Sequence, residues 1–160
     1  SGIGIFPYEF SDFVENLICI DPDPASAKHT GSFPKVTSFC LSLEQYIKSS
    51  MISNIQSGSV LITLNQVLEH FLDPLDTLRN LILSLRTKVY IYIEVPESTR
   101  NLEDYGADCP AFFLDHRHIF SAFSLSFIVQ LAGITVLNTA STRTLSGKTV
   151  IRCYGVYNPA

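Results

Sequence analysis

Short apolar runs of strand length alternate along this chain with segments of helical spacing, and that alternation calls for a sheet covered by helices. Leu17-Ile18-Cys19-Ile20 is the first clear run, stopped by Asp21-Pro22-Asp23-Pro24 and so read as a buried strand that ends in a loop. Val36 to Phe39, Val60 to Leu64 and Val89 to Val95 repeat the pattern, the last closed by Pro96. Between them, Phe6 to Asn16 and Leu41 to Ile47 have helical character, the first with Phe6, Phe10, Phe13 and Val14 near one face. The clearest helix begins at Asp73. That residue suits an N-cap, Pro74 suits the first helical position, and Asp76 places negative charge in the first turn. Leu75, Leu78, Ile82 and Leu85 then fall on one side.

The segment from Glu97 to about His118 carries no clear period and is expected to be a long lid or binding loop. Helix resumes near Ser121 or Ser124 and ends at Gly133, a natural residue to follow a helix C-terminus. Ile134 to Leu137 and Thr149 to Val156 complete the chain as two strands turned at Ser146-Gly147. The order predicts a Rossmann-like, doubly wound, mostly parallel α/β sheet with a C-terminal antiparallel hairpin.

At 160 residues the chain has the length of one domain, and residues 1–160 are read as such. Hydrophobic residues make up 46% and charged ones 16%, which excludes disorder. The formal net charge is −4 and there is no long basic run, so nucleic acid is disfavoured as an electrostatic partner. Cys19, Cys40, Cys109 and Cys153 form no close pair and are expected to be free thiols in a reducing compartment, hence a cytoplasmic location. No apolar run is long enough to span a membrane.

Three segments carry a family resemblance. Ser1-Gly2-Ile3-Gly4-Ile5-Phe6 has the form of the second half of a glycine-rich loop, which brings backbone close to a ligand. The interval to Asp21 has room for one helix and one strand, so Asp21 falls at a strand end, where a carboxylate can accept two ribose hydroxyls. A tight turn and a helix-capping Asp would give the same residues. The most specific segment is Leu64-Asn65-Gln66-Val67-Leu68-Glu69-His70-Phe71-Leu72-Asp73-Pro74, followed by Ile93-Glu94-Val95-Pro96, by His118-Ile119-Phe120-Ser121, and by Leu125 with Ala132-Gly133-Ile134. In this order they resemble the class I S-adenosylmethionine-dependent methyltransferases, particularly the small-molecule branch that includes sugar methyltransferases. The resemblance covers nearly the whole chain and leaves the family's first strand and leading glycine without a counterpart, so the domain is expected to be N-terminally incomplete.

What the resemblance implies is S-adenosylmethionine as cofactor and methyl transfer to a small-molecule acceptor, with sugar-like acceptors among the candidates. It places Gly2, Gly4, Asp21, Cys40, Leu41, Asn65 and Glu69 at the cofactor, the ribose on Asp21 and the methionine part near Gly2, Gly4 and Asn65. Cys40-Leu41 stands near where many relatives have an acid for the adenine amino group, and a thiol is a poorer acceptor. Glu69 is equally readable as a solvated acid at a helix start.

An acceptor that must lose a proton needs a base. His118, His116 and His70 are the candidates, since imidazole titrates near neutrality, with Asp115 available to orient one of them. His118 could instead cap the following helix, and His70 could be structural. Phe112 and Phe113 could line an acceptor pocket. No metal is expected, because His116 and His118 show no third ligand at convincing spacing. A non-catalytic domain of the same fold, and a dehydrogenase-like nucleotide-binding enzyme, are the competing readings. A homo-oligomer, or a parent polypeptide that supplies the missing strand, are the macromolecular partners considered.

Overall fold

A computed structural model describes residues 4–49, 51–52, 55, 58–106, 109 and 115–159. The chain forms two compact units, Ser1–Asn54 and Ile55–Ala160.

The first unit contains α1 (Ile5–Phe10), β1 (Leu17–Ile20), α2 (Pro24–Thr30), β2 (Val36–Phe39) and α3 (Leu43–Lys48). β1 and β2 pair in parallel, Leu17 beside Val36 and Ile20 beside Phe39. α1 starts at Gly4, whose φ of 80° lies in the left-handed region. A Cβ there would sit 2.6 Å from the Phe33 ring, so glycine is required twice over. The helix is shorter than its apolar spacing predicts. The Ser11 hydroxyl donates to the Tyr8 carbonyl, and the Lys35 ammonium donates to the carbonyls of Ser11 and Val14. With those carbonyls satisfied, nothing demands a further turn, and Phe13 is left 82% exposed. α2 is capped by Asp23 with Pro24 at its first position, and α3 by a reciprocal Ser42–Gln45 box, which starts it at Leu43 rather than Leu41.

The second unit contains β3 (Ser59–Asn65), a 3-10 turn (Leu68–His70), α4 (Pro74–Ser84), β4 (Lys88–Pro96), α5 (Ser98–Tyr105), α6 (Ala122–Leu131), β5 (Thr135–Arg143) and β6 (Thr149–Tyr157). Its sheet has the order β3-β4-β6-β5, with β3 and β4 parallel and β6 antiparallel to both of its neighbours. The terminal hairpin is therefore present, turned at Gly147 with φ 88°, and its first strand runs on past Leu137 to Arg143. Leu78 and Ile82 of α4, Ile93 and Val95 of β4, Leu125 and Val129 of α6, and Ile151 of β6 are almost wholly buried and form the core. β4 alternates buried and open positions, as a strand with one better-covered face should. At Gly155 a Cβ would come within 2.6 Å of Ile134, so the centre of β6 admits glycine alone.

One expectation needs correction. The segment after Pro96, read as a long loop, contains the helix α5. Glu97 caps it by accepting the Arg100 N–H. What anchors it is an amide: buried Asn101 donates to the Thr149 carbonyl at 2.7 Å and accepts the Thr149 N–H at 3.0 Å. A helix held by a polar residue shows no apolar period, so pattern reading passes over it. Among the described residues no helix is long and apolar enough to cross a membrane.

Candidate active site

In an open α/β sheet, ligands meet the carboxyl ends of the parallel strands. In the second unit that edge is built by the turn after β3. Gln66 adopts φ 50°, an uncommon conformation for a side chain of its size, and its N–H donates to the Glu94 carbonyl at 2.8 Å. The 3-10 turn then carries Leu68, Glu69 and His70, and Asp73 caps α4 by accepting the Asp76 N–H at 2.9 Å. Asn65 ends β3 with its amide oxygen buried and without a hydrogen bond.

Glu69 is 1% exposed, and neither of its carboxylate oxygens has a hydrogen-bond partner. Burial pushes its carboxyl above the usual range; its own backbone N–H, which lies outside hydrogen-bond geometry, and the His70 and His116 imidazoles pull the other way without cancelling that rise. Its carbonyl accepts from the N–H groups of Arg117 at 2.9 Å and His118 at 3.1 Å, which ties the incoming segment to the turn.

His70 is oriented by that segment. Its Nδ1 lies 3.0 Å from the Asp115 carbonyl and 3.9 Å from the Asp115 carboxylate. A carbonyl can only accept, so the Nδ1 hydrogen points at Asp115 and the neutral ring presents an Nε2 lone pair. That Nε2 is 4.0 Å from a Glu69 oxygen. The His116 ring meets the His70 ring edge-on at 4.8 Å. Glu69, His70 and His116 thus offer ligand atoms that all lie within 4.8 Å of one another. The fold brings Glu69 and His70 to His116, a convergence that the sequence spacing did not reveal. His118 turns elsewhere: its Nε2 lies 3.3 Å from the Leu72 carbonyl, and its ring lies beside Phe120. Asp115 is placed against His70.

A second carboxylate stands at the same strand ends. Glu94 accepts from the Arg152 guanidinium at 2.8 Å and the Tyr92 hydroxyl at 2.8 Å, with the Gln66 amide at 3.5 Å. Burial first, then the bond to Glu94, pushes the Tyr92 phenol up. Sequence reading placed Glu94 at a strand end but gave no sign of Arg152, which comes from the opposite strand of the ladder.

In the first unit, Asp21 follows β1 directly, its N–H bonded to the Phe39 carbonyl at 3.1 Å and its carboxylate accepting the Asp23 N–H at 3.0 Å. Cys40 is exposed, with its thiol 3.6 Å from the Pro22 carbonyl, and Leu41 is half-buried. Cys19 and Cys153 are buried free thiols, and Cys109 is buried. Gly2, Phe112 and Phe113 lie outside the described residues.

A family model described as a methyltransferase domain matches residues 1–139. Among solved structures, the chain is similar to a SAM-dependent methyltransferase from Aquifex aeolicus, with 15% identity over 97% of this chain and 77% of that one and a TM-score of 0.66. It is also similar to the N-methyltransferase NodS from Bradyrhizobium japonicum in complex with S-adenosyl-L-homocysteine, with 13% identity over 99% and 76% of the two chains and a TM-score of 0.63. A chain from the complex between the Haloferax volcanii Trm112 methyltransferase activator and a methyltransferase gives a TM-score of 0.74, with 13% identity over 99% and 80%. No curated protein matches the sequence.

Proposed function

This chain belongs to the methyltransferase-domain family, and from that premise we propose that it transfers the methyl group of S-adenosylmethionine to a small-molecule acceptor. The observation that carries the reading is the buried, unbonded amide oxygen of Asn65 at the carboxyl end of β3. An orphaned acceptor costs stability unless a ligand satisfies it, and the ammonium of the cofactor's methionine part is a matching donor.

The remaining assignments follow the chemistry of each residue. Asp21 accepts the ribose hydroxyls, since a carboxylate has acceptor capacity on both oxygens. Gly2 and Gly4 let backbone approach the cofactor, and Cys40 and Leu41 flank the adenine. Glu69 steadies the cofactor side of the turn. The cofactor supplies an electrophilic methyl on a sulfonium, so the chain's own task is to align the acceptor and remove its proton where needed. His118, His116 and His70 are the bases proposed for that step. Hydrogen bonds to carbonyls leave a lone pair on Nδ1 of His118 and Nε2 of His70.

We further propose that residues 1–160 act as one domain, consistent with structural similarity that runs over 99% of the chain. The buried free thiols favour a reducing, cytoplasmic setting.

The test is calorimetric titration of S-adenosylmethionine and S-adenosylhomocysteine into the protein and into Asp21→Ala. Saturable binding that weakens at least about tenfold in the variant, a difference of about 1.4 kcal/mol, supports the reading. Equal binding by both proteins removes Asp21 from the site, and nicotinamide binding in place of S-adenosylmethionine would overturn the function.

A further inference from the structure

We propose that Glu69, His70 and His116 form a binding site for a divalent transition-metal ion. The ligand set is two imidazoles and one carboxylate, a combination suited to zinc and its first-row neighbours. These ions hold nitrogen and oxygen at about 2.0–2.2 Å, so two ligands of one ion stand about 3–4.3 Å apart, depending on the angle between them. The 4.0 Å from His70 Nε2 to the Glu69 oxygen lies inside that span, and the 4.8 Å limit on the whole set exceeds it by a fraction of an ångström.

Two independent observations point the cluster at a cation. The first is the Glu69 carboxylate, buried to 1% exposure with both oxygens unbonded. A carboxylate taken out of water without a donor is costly, and a bound cation removes that cost. The second is the way the Asp115 carbonyl holds the Nδ1 of His70. Metal-bound histidines characteristically donate their other ring N–H to a carbonyl or carboxylate, which fixes the tautomer and the ring plane. Here Nδ1 is held by the Asp115 carbonyl, with the Asp115 carboxylate 3.9 Å away, and Nε2 lies 4.0 Å from a Glu69 oxygen.

The backbone fixes the same geometry. The N–H groups of Arg117 and His118 close on the Glu69 carbonyl, so the segment that carries His116 is fastened to the residue that would share the ion with it. Bound there, the ion leaves coordination positions for an outside ligand. On the methyltransferase reading, and only on that reading, an acceptor hydroxyl is that ligand and its deprotonation is eased, and His118, which is not a ligand, is then the base while His70 and His116 hold the ion. The site itself does not depend on that reading.

The experiment is a titration of Zn²⁺ into the chelator-treated full chain, followed by calorimetry, with Co²⁺ as a spectroscopic reporter and Mg²⁺ as the hard-ion comparison. It is run without a methyl donor, so metal binding and methyl transfer can fail separately. One ion per chain is expected, bound at least about tenfold more weakly by His116→Ala and by Glu69→Gln, with His29→Ala unchanged because the His29 ring is exposed and packs on Phe33. Glu69→Gln keeps the shape of the side chain and guards against a folding artefact; circular dichroism checks each variant. Absence of Zn²⁺ binding, undiminished binding in both ligand variants, loss of binding in His29→Ala, or Mg²⁺ binding as tight as Zn²⁺ would overturn the proposal.

Discussion

Glu69 and Glu94 are both carboxylates withdrawn from solvent near the carboxyl ends of neighbouring strands, and their surroundings are opposite. Glu94 is held by a guanidinium and a phenol at hydrogen-bond distance, and its side chain is 16% exposed. Glu69 is more deeply buried and neither oxygen has a donor. One imidazole, that of His70, lies 4.0 Å away, and its Nδ1–H is already committed to Asp115. A fully satisfied carboxylate tightens a fold, whereas a buried and unsatisfied one is an unspent capacity for a ligand. Depth of burial alone does not separate structure from function; the inventory of donors does.

The comparison can be broken by mutation. Arg152→Ala strips Glu94 of its charged partner and is expected to cost about 2–3 kcal/mol, below the value for a fully buried pair because Arg152 is 37% exposed. Chemical denaturation measures it, and a loss under about 0.5 kcal/mol would reduce the Glu94 cluster to a surface pair. Glu69→Gln should do the reverse in metal-free protein. Replacing an unpaired buried charge with a neutral amide is expected to stabilise by about 1 kcal/mol, read as a higher Tm. A clear loss of stability would mean that Glu69 already has its partner in the imidazoles.

The smallest effect concerns a third carboxylate, solvent-exposed Asp23, which accepts the backbone N–H and the hydroxyl of Ser26. Those bonds hold its carboxyl below the usual value. Because the folded value is the lower one, the cap's contribution to α2 is present above about pH 4 and is lost as pH falls through the folded value. Amide exchange at Ser26 should accelerate, relative to its pH-corrected intrinsic rate, over that acid range and not between pH 6 and 8. A flat profile would mean that the cap contributes nothing.

The same contrast sets how much was legible in the sequence. Strands at Leu17–Ile20 and Val36–Phe39 were evident because apolar runs end at loop residues, and α4 because Asp73 and Pro74 announce it. α5 was not, since Asn101 rather than an apolar stripe fastens it. The candidate site was visible in composition but not in arrangement. Glu69 and His70 were singled out as neighbours, and His116 as a base, yet their convergence depends on a backbone clasp between Glu69 and residues 117 and 118, which has no sequence signature. Arg152 was invisible for a related reason: its meeting with Glu94 is set by antiparallel register, a long-range property.

The order of the second sheet also bears on how the chain is made. β6 follows both β4 and β5 in the sequence, yet it lies between them rather than at an edge. While a ribosome is still translating residues 149–157, the nascent unit has no inner strand for β4 and β5 to share, and the backbone groups facing that gap remain unpaired. Completion of this sheet therefore waits until residues 149–157 have left the ribosome. Until it happens, Ile91, Ile93 and Val95 are exposed along a strand edge of the kind that chaperones cover and that neighbouring nascent chains can pair with.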